Sequence, residues 1–196
     1  MLRLPFITFE GSEACGKSTQ VQRLGARLEL SGVPYLVTRE PGGTAISETI
    51  RELLQFAPHS EGMRPQTELL LFEASRSQLV RQIIQPALER GLCVISDRFF
   101  DSTTVYQGAA RKLNAEMIAR LNAFAVGDCI PDVTFVLDVD AATASSRMQR
   151  TVRKPDRIIL IDGTRPADEV ENEIWEMISN RFPQLGSKIE NRKSKI

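Results

Sequence analysis

The sequence predicts an α/β fold in which helices cover both faces of a parallel sheet. Short apolar runs rich in β-branched residues alternate with longer helical patterns, and nearly every run is apolar on both faces. Strands of that kind are buried on both sides, as in a parallel sheet between two helical layers. The 196 residues show no internal repeat or linker, so we predict one domain over 1–196.

Five of the apolar runs are predicted strands because they are too short for helices and rich in strand-forming residues. In chain order they are 6–9, 33–38, 92–96, 133–139 and 158–161. The predicted helices are 17–30, 47–55, 66–90, 115–126, 141–150 and 167–180. The third helix has the clearest periodicity, since its apolar residues return to one face at helical spacing. We expect the polar tail from 188 to 196 to be frayed.

The composition argues against several classes of function. The chain carries 25 basic and 25 acidic residues, so it has no excess positive charge for a nucleic-acid backbone. The three cysteines, Cys15, Cys93 and Cys129, are far apart, and His59 is the only histidine. These counts favour reduced thiols over a disulfide framework or a zinc site. Residues 1–9 lack a signal-peptide pattern, and no apolar run approaches the ~20 residues that span a bilayer. We therefore expect a cytoplasmic protein.

A glycine-rich loop lies between the first predicted strand and the first predicted helix, and it matches the G-x-x-x-x-G-K-[S/T] pattern of a P-loop. Backbone N–H groups and the helix N-terminus of such a loop bind phosphate oxygens. We predict that Lys17 is catalytic and reaches the β- and γ-phosphates of ATP, while Ser18 ligates Mg²⁺. The predicted phosphate-binding residues are Gly11, Ser12, Glu13, Ala14, Cys15, Gly16, Lys17, Ser18 and Thr19. The fold class is then a P-loop NTPase-type three-layer sandwich.

A second candidate site follows the strand predicted at 92–96. Asp97 and Arg98 lie at the carboxyl end of that strand, which is where open α/β sheets bind their ligands. We predict that Asp97 contributes to the Mg²⁺ site and that Arg98 neutralises charge on the transferred phosphoryl group. The alternative is that these two residues form a surface ion pair.

Three further stretches resemble bacterial thymidylate kinases, while the guanine-reading N-K-x-D motif of GTPases is absent from the sequence. The stretches are TREPGGT at 38–44, FEASR at 72–76 and DRFFDSTTVYQG at 97–108, and the resemblance resumes with ILIDGT at 159–164. It implies a five-stranded parallel sheet and facing sites for ATP·Mg²⁺ and thymidine monophosphate (dTMP). It also implies a homodimer that transfers the γ-phosphoryl group of ATP to dTMP.

The predicted acceptor pocket begins with Phe72 and Arg76, which lie four residues apart on one face of a predicted helix. Phe72 can stack on a pyrimidine while Arg76 donates to its carbonyl oxygen. Alternatively, Phe72 belongs to the core and Arg76 pairs with an acid such as Glu73. The resemblance assigns base and sugar contacts to Thr103 and Tyr106, the sugar 3′-hydroxyl to Glu13, and the acceptor phosphate to Arg51, assisted by Arg39. The full predicted dTMP-binding set is Glu13, Arg39, Pro41, Arg51, Phe72, Arg76, Arg98, Thr103, Tyr106 and Gln107.

A basic stretch over about 147–157 lies where the family carries a mobile lid over ATP. It contains Arg147, Arg150, Arg153, Lys154 and Arg157. The phosphate loop itself offers no arginine, so the resemblance implies a catalytic lid arginine, and we assign that role to Arg153. A charged, solvated helix end is the alternative. Family members carry more residues between this stretch and the last strand, so either the lid is short here or a lid segment is missing from this sequence.

Two competing functions remain open at this point. The chain could be a P-loop kinase for another small acceptor, against which Phe72, Arg76 and Tyr106 argue. It could also be an ATP-dependent switch, which the short lid region alone supports. A kinase turns over ATP only with its acceptor, whereas a switch shows no acceptor dependence.

Overall fold

A computed structural model describes residues 3–56, 62–103, 113–138 and 155–186. It contains a sheet of five strands, all of which were predicted to within two residues at each end. They are β1 (Phe6–Gly11), β2 (Tyr35–Arg39), β3 (Cys93–Asp97), β4 (Val133–Asp138) and β5 (Ile158–Asp162). Every neighbouring pair is parallel, in the order β2-β3-β1-β4-β5. The predicted α/β fold class with a five-stranded parallel sheet is confirmed.

The helices lie between the strands in the alternating order that the sequence predicts. They are α1 (Lys17–Leu30), α2 (Ala45–Gln55), α3 (Pro65–Leu79), α4 (Gln85–Glu89), α5 (Phe100–Thr103), α6 (Ala115–Val126) and α7 (Ala167–Arg181). The short helix α5 was not predicted. The helix predicted at 141–150 lies outside the described residues.

The helix predicted as continuous over 66–90 is interrupted by a π-helical segment, Val80–Ile84, between α3 and α4. In this segment Gln85 donates its backbone N–H to the carbonyl of Val80, five residues earlier. Pro86 follows directly and has no N–H to donate, so the helix widens where the regular bonding pattern cannot continue. The prediction of a single regular helix was wrong at this point.

The hydrophobic core occupies both faces of the sheet. On one face Ile7 and Phe9 of β1 pack in a cluster with Leu24 of α1 and Ile174 of α7. On the other face Phe6 packs in a cluster with residues of α3, the π-helical segment and β3. Because successive side chains of a strand point to opposite faces, β1 is covered on both sides. None of the described helices is long and apolar enough to cross a membrane.

The sheet order brings the ends of β1 and β3 side by side. In the parallel register Phe9 of β1 lies opposite Asp97 of β3. The loop that leaves β1 and the turn that leaves β3 therefore meet at one edge of the sheet, which is the edge where α/β proteins bind ligands.

Candidate active site

The phosphate loop (residues 11–19) connects β1 to α1 through three residues with positive φ. They are Gly11 at 138°, Ala14 at 58° and Gly16 at 92°. A Cβ at Gly11 would lie 2.0 Å from the carbonyl oxygen of Leu137, so this position has no room for a side chain. Gly16 is the N-cap of α1, and no side chain caps the helix there. The first N–H groups of α1 are thus left for an anionic ligand.

Lys17 lies inside the loop and is 6% exposed. Its Nζ donates to the carbonyl oxygens of Gly11, at 3.2 Å, and Ser12. The same Nζ lies 3.6 Å from the Sγ of Cys15. The ammonium group is therefore held by main-chain carbonyls within the loop, where it can exchange those bonds for phosphate oxygens.

Ser18 and Asp97 join the start of α1 to the end of β3. The Ser18 hydroxyl donates to Oδ2 of Asp97 at 2.8 Å. Mg²⁺ binds oxygen ligands octahedrally at 2.0–2.1 Å, so two adjacent ligand oxygens are about 3 Å apart. The hydroxyl and the carboxylate thus fit Mg²⁺ in chemistry and in spacing. Mg²⁺ is usually held by one or two carboxylates together with substrate phosphates rather than by a protein cage, and the described residues contain no cluster of three acidic, histidine or cysteine ligands.

The turn after β3 carries Arg98 in the left-handed region, with φ at 71°. Its backbone N–H donates to the carbonyl of Phe9 at 2.8 Å, and the next N–H, of Phe99, donates to Oε1 of Glu10 at 2.9 Å. Glu10 is buried at the end of β1. A carboxylate from the neighbouring strand therefore shapes the turn that presents Arg98, a role for Glu10 that the sequence analysis missed.

The turn over residues 39–44 lies between Arg39 and Arg51, the two arginines predicted to bind the acceptor phosphate. Arg39 forms an ion pair with Glu48 at 2.9 Å, and Oε1 of Glu48 also accepts the Gly43 N–H at 2.7 Å. Nη1 of Arg51, on α2, donates to the carbonyl of Pro41 at 2.9 Å. Arg39 is half exposed and Arg51 is half-buried, so both lie around one turn at the carboxyl end of β2.

Arg76 lies deeper than the sequence analysis anticipated, at 1% exposure. Its guanidinium contacts Glu40 at 2.8 Å, Glu73 at 2.7 Å and Asn122 at 3.0 Å. The pairing with Glu73 that was weighed as an alternative is therefore present. The contact with Glu40 was not anticipated, because nothing in the sequence signals a bond across 36 positions. Phe72, one turn earlier on α3, is half-buried.

Burial dominates the electrostatics of this cluster. It raises the pKa of Glu40 from 4.5 to about 7, because the charge on Arg76 only partly offsets the loss of solvent. Burial likewise raises the pKa of Glu73. Oε1 of Glu40 and Oε2 of Glu73 have no hydrogen-bond partner within the described part of the chain. Two carboxyl groups thus share one guanidinium in a buried environment.

The remaining predicted residues differ in how far the structure locates them. Glu13, Ala14 and Thr19 are exposed on the phosphate loop, and Thr103 is the last residue of α5. Tyr106, Gln107, Arg147, Arg150, Arg153 and Lys154 lie outside the described residues. Arg157 is 7% exposed, and its guanidinium donates to both carboxylate oxygens of Asp101 at 2.7 and 2.6 Å. That arginine therefore lies inside the fold.

Comparisons with known proteins agree with the geometry. A family model described as thymidylate kinase matches residues 9–154. The thymidylate kinase of Deinococcus radiodurans is 41% identical over 201 residues, covering 90% of this chain and 97% of that protein. The Fervidobacterium nodosum thymidylate kinase is 43% identical, covering 95% of this chain and 87% of that protein. The crystal structure of thymidylate kinase from Ehrlichia chaffeensis superposes with a TM-score of 0.76 at 37% identity, covering 90% of this chain and 99% of that chain. The Deinococcus alignment is longer than this chain, so that relative carries residues without a counterpart here.

Proposed function

Because this chain belongs to the thymidylate kinase family and so transfers the γ-phosphoryl group of ATP to dTMP, we propose that its phosphate loop and the end of β3 form the reaction centre. The observation that carries this proposal is the bond between Ser18 and Asp97 at 2.8 Å. It joins the start of the helix that binds phosphate to the strand end that binds the metal. The two parts that phosphoryl transfer needs are therefore already in contact.

The donor half of the site is built from the phosphate loop. Its backbone N–H groups and the uncapped start of α1 bind the phosphates of ATP. Lys17 exchanges its bonds to main-chain carbonyls for bonds to the β- and γ-phosphates. Ser18 and Asp97 would hold Mg²⁺, which would supply positive charge beside the phosphates of ATP.

Arg98 supports the reaction from the turn that leaves β3, directly after Asp97. Glu10 holds the backbone turn that carries Arg98, so that turn is in place before the nucleotides bind. A guanidinium presented from this turn stabilises the charge of the transferred group. Arg153 retains its predicted role as a catalytic lid arginine on the basis of the sequence resemblance alone.

The acceptor half lies between the 39–44 turn and α3. Arg51 and Arg39 bind the acceptor phosphate, since both border that turn near the end of β3. Phe72 and Arg76 bind the thymine base from the same helix. The family resemblance assigns base and sugar contacts also to Thr103 and Tyr106 and the 3′-hydroxyl to Glu13, and Gln107 belongs to the same predicted dTMP-binding set.

The test is a coupled assay of ADP release from ATP·Mg²⁺ that compares dTMP, deoxyuridylate, cytidylate, guanylate and no acceptor at equal concentrations. We expect a strong preference for dTMP. Lys17→Ala should lower turnover with every acceptor, and Asp97→Asn should raise the Mg²⁺ concentration needed for half-maximal rate. A preference for another nucleotide would contradict the pocket, and acceptor-independent ADP release would contradict the kinase assignment.

The chain acts as a homodimer through the helices that border the acceptor site. Large apolar side chains are exposed on neighbouring helices, namely Leu53 on α2, Leu70 on α3, and Met117 and Phe124 on α6. Exposed apolar residues grouped on packed helices are typical of subunit interfaces. Light scattering after size exclusion should report a dimer for the wild type and a monomer for Phe124→Glu. Leu30→Glu, at an equally exposed residue that ends α1, is the matched control and should remain dimeric.

The enzyme works in a reducing compartment, the cytoplasm. Cys15, Cys93 and Cys129 are all free and buried. Burial raises the pKa of Cys93 to about 12 and that of Cys129 to about 11, which keeps both thiols protonated and unreactive.

A further inference from the structure

The side chain and the backbone of one residue, Glu40, connect the acceptor pocket to the reaction centre. We propose that Glu40 is a positioning residue that holds the guanidinium of Arg76 at a fixed place relative to Asp97. The inference rests on the proposed role of Arg76 in binding the acceptor base. It adds a specificity-determining residue to which the sequence analysis gave no role.

The backbone of Glu40 is hydrogen-bonded to the end of β3, the strand that carries Asp97. Its N–H donates to the carbonyl oxygen of Asp97 at 3.0 Å. This bond directly follows the β2–β3 pairing, whose last pair is Arg39 with Asp97. The main chain at Glu40 therefore moves with the strand end whose carboxylate accepts the Ser18 hydroxyl.

The side chain of Glu40 holds one edge of the Arg76 guanidinium. Oε2 accepts from Nε at 2.9 Å and lies 2.8 Å from Nη2. Both side chains are buried, at 1% and 4% exposure. Two contacts to one edge of a planar group fix its orientation as well as its position, and burial strengthens charged hydrogen bonds. The arginine cannot turn without losing both contacts.

Glu73 contacts the same guanidinium but cannot serve the same purpose. Its Oε1 accepts from Nη1 at 2.7 Å, and it lies only three residues from Arg76 on α3. A contact within one helix orients the side chain relative to that helix. Glu40 reaches Arg76 from the turn after β2, which is bonded to the end of β3, so it relates the helix to the reaction centre.

The residue after Glu40 holds the other end of the acceptor. The carbonyl of Pro41 accepts from Nη1 of Arg51 at 2.9 Å. The arginines proposed for the base and for the phosphate are thus anchored on two consecutive residues. The sugar of a nucleoside monophosphate limits the distance between its base and its phosphate. Two arginines anchored on consecutive residues therefore select an acceptor by that distance.

The experiment compares steady-state constants for the wild type, Arg76→Ala, Glu40→Gln and the double variant. Glu73→Gln is the matched control, because it removes the same charge from the same guanidinium at similar burial. Losing a charged hydrogen bond should raise the KM for dTMP about 10- to 100-fold in Arg76→Ala and about 10-fold in Glu40→Gln. The KM for ATP should stay within about twofold and kcat within about threefold. Glu73→Gln should raise the KM for dTMP by less than about threefold, and the double variant should match Arg76→Ala.

Thymidine, which has the base and sugar but no phosphate, separates the two ends of the acceptor. Thymidine should act as a competitive inhibitor, and its inhibition constant should rise in Glu40→Gln by the same factor as the KM for dTMP. An unchanged inhibition constant would show that Glu40 acts at the phosphate end and would overturn the inference. Should Glu40→Gln fail to fold, Glu40→Asp keeps the charge but withdraws it from Arg76, and it should raise the same two constants.

The two hypotheses fail in different ways. If Arg76→Ala leaves the KM for dTMP unchanged, the proposed base site is wrong and the positioning role is lost with it. If Arg76→Ala raises that KM but Glu40→Gln does no more than Glu73→Gln, Arg76 keeps its role and the inference about Glu40 is wrong.

Discussion

Replacing Arg157 by methionine tests how strongly a buried ion pair holds α5 against the sheet. The guanidinium donates to both oxygens of Asp101, at 2.7 and 2.6 Å, and to Oγ1 of Thr134 at 2.6 Å. It also lies 4.9 Å from the centroid of the Phe100 ring. Arg157 precedes β5, Thr134 is in β4 and Asp101 is in α5, so this one side chain joins three elements.

The expected loss follows from the burial of both charges, whose side chains are each 8% exposed. Arg157→Met keeps the length of the side chain but leaves the Asp101 carboxylate buried without a cation. Breaking a buried pair in this way costs about 3–5 kcal/mol. For a chain of this size, that loss lowers the melting temperature by about 6–20 °C.

The assay is urea unfolding followed by circular dichroism, with a thermal scan beside it. Arg120→Met is the matched control, because Arg120 forms an exposed pair with Glu116, at 78% and 67% exposure, and its loss should cost about 0.5 kcal/mol or less. Arg157→Met combined with Asp101→Leu should recover most of the lost stability, since no charge is then left unpaired. Equal losses of unfolding free energy in Arg157→Met and Arg120→Met would refute the reasoning. A double variant as unstable as Arg157→Met alone would show that the loss comes from packing and not from the unpaired charge.

Three further predictions concern the loop and the acceptor cluster. Gly11→Ala should abolish ATP binding and lower the melting temperature, because its Cβ would lie 2.0 Å from the Leu137 carbonyl oxygen. Gly91→Ala, with positive φ but nothing within 4 Å of its Cβ, should lower the melting temperature much less, since it carries only the backbone strain. Burial raises the pKa of Glu40 from its ordinary value of 4.5 to about 7 in the folded protein. The contribution of Glu40 to stability is therefore complete below about pH 4.5 and is lost as the pH rises through about 7. Relative to Glu40→Gln, the wild type should lose up to about 3 kcal/mol of unfolding free energy between about pH 5 and pH 8, measured by urea titration. Alkylating Cys15 should block ATP binding in an equilibrium titration, and full activity of a stoichiometrically alkylated enzyme would contradict this.

The elements and the phosphate loop were predictable from the sequence because their signals are local. Strand and helix periodicities depend on neighbouring residues, and all five strands were placed within two positions. The phosphate loop is contiguous, so its spacing alone predicted a glycine-rich turn between β1 and α1. Pro86 was visible as well, but a periodic apolar pattern does not reveal whether a proline breaks a helix or widens it.

Only the tertiary structure decided which charged residues meet. Arg76 could pair with an acid three residues away, as the sequence suggested, but its contact with Glu40 spans 36 positions. Arg157 was grouped with the basic lid residues, yet it pairs inside the fold with Asp101, 56 positions earlier. Ion pairs carry no periodicity, and any of 25 basic residues could in principle meet any of 25 acidic ones. Which of them do meet is set by the order of the strands, because that order determines which chain segments share an edge of the sheet.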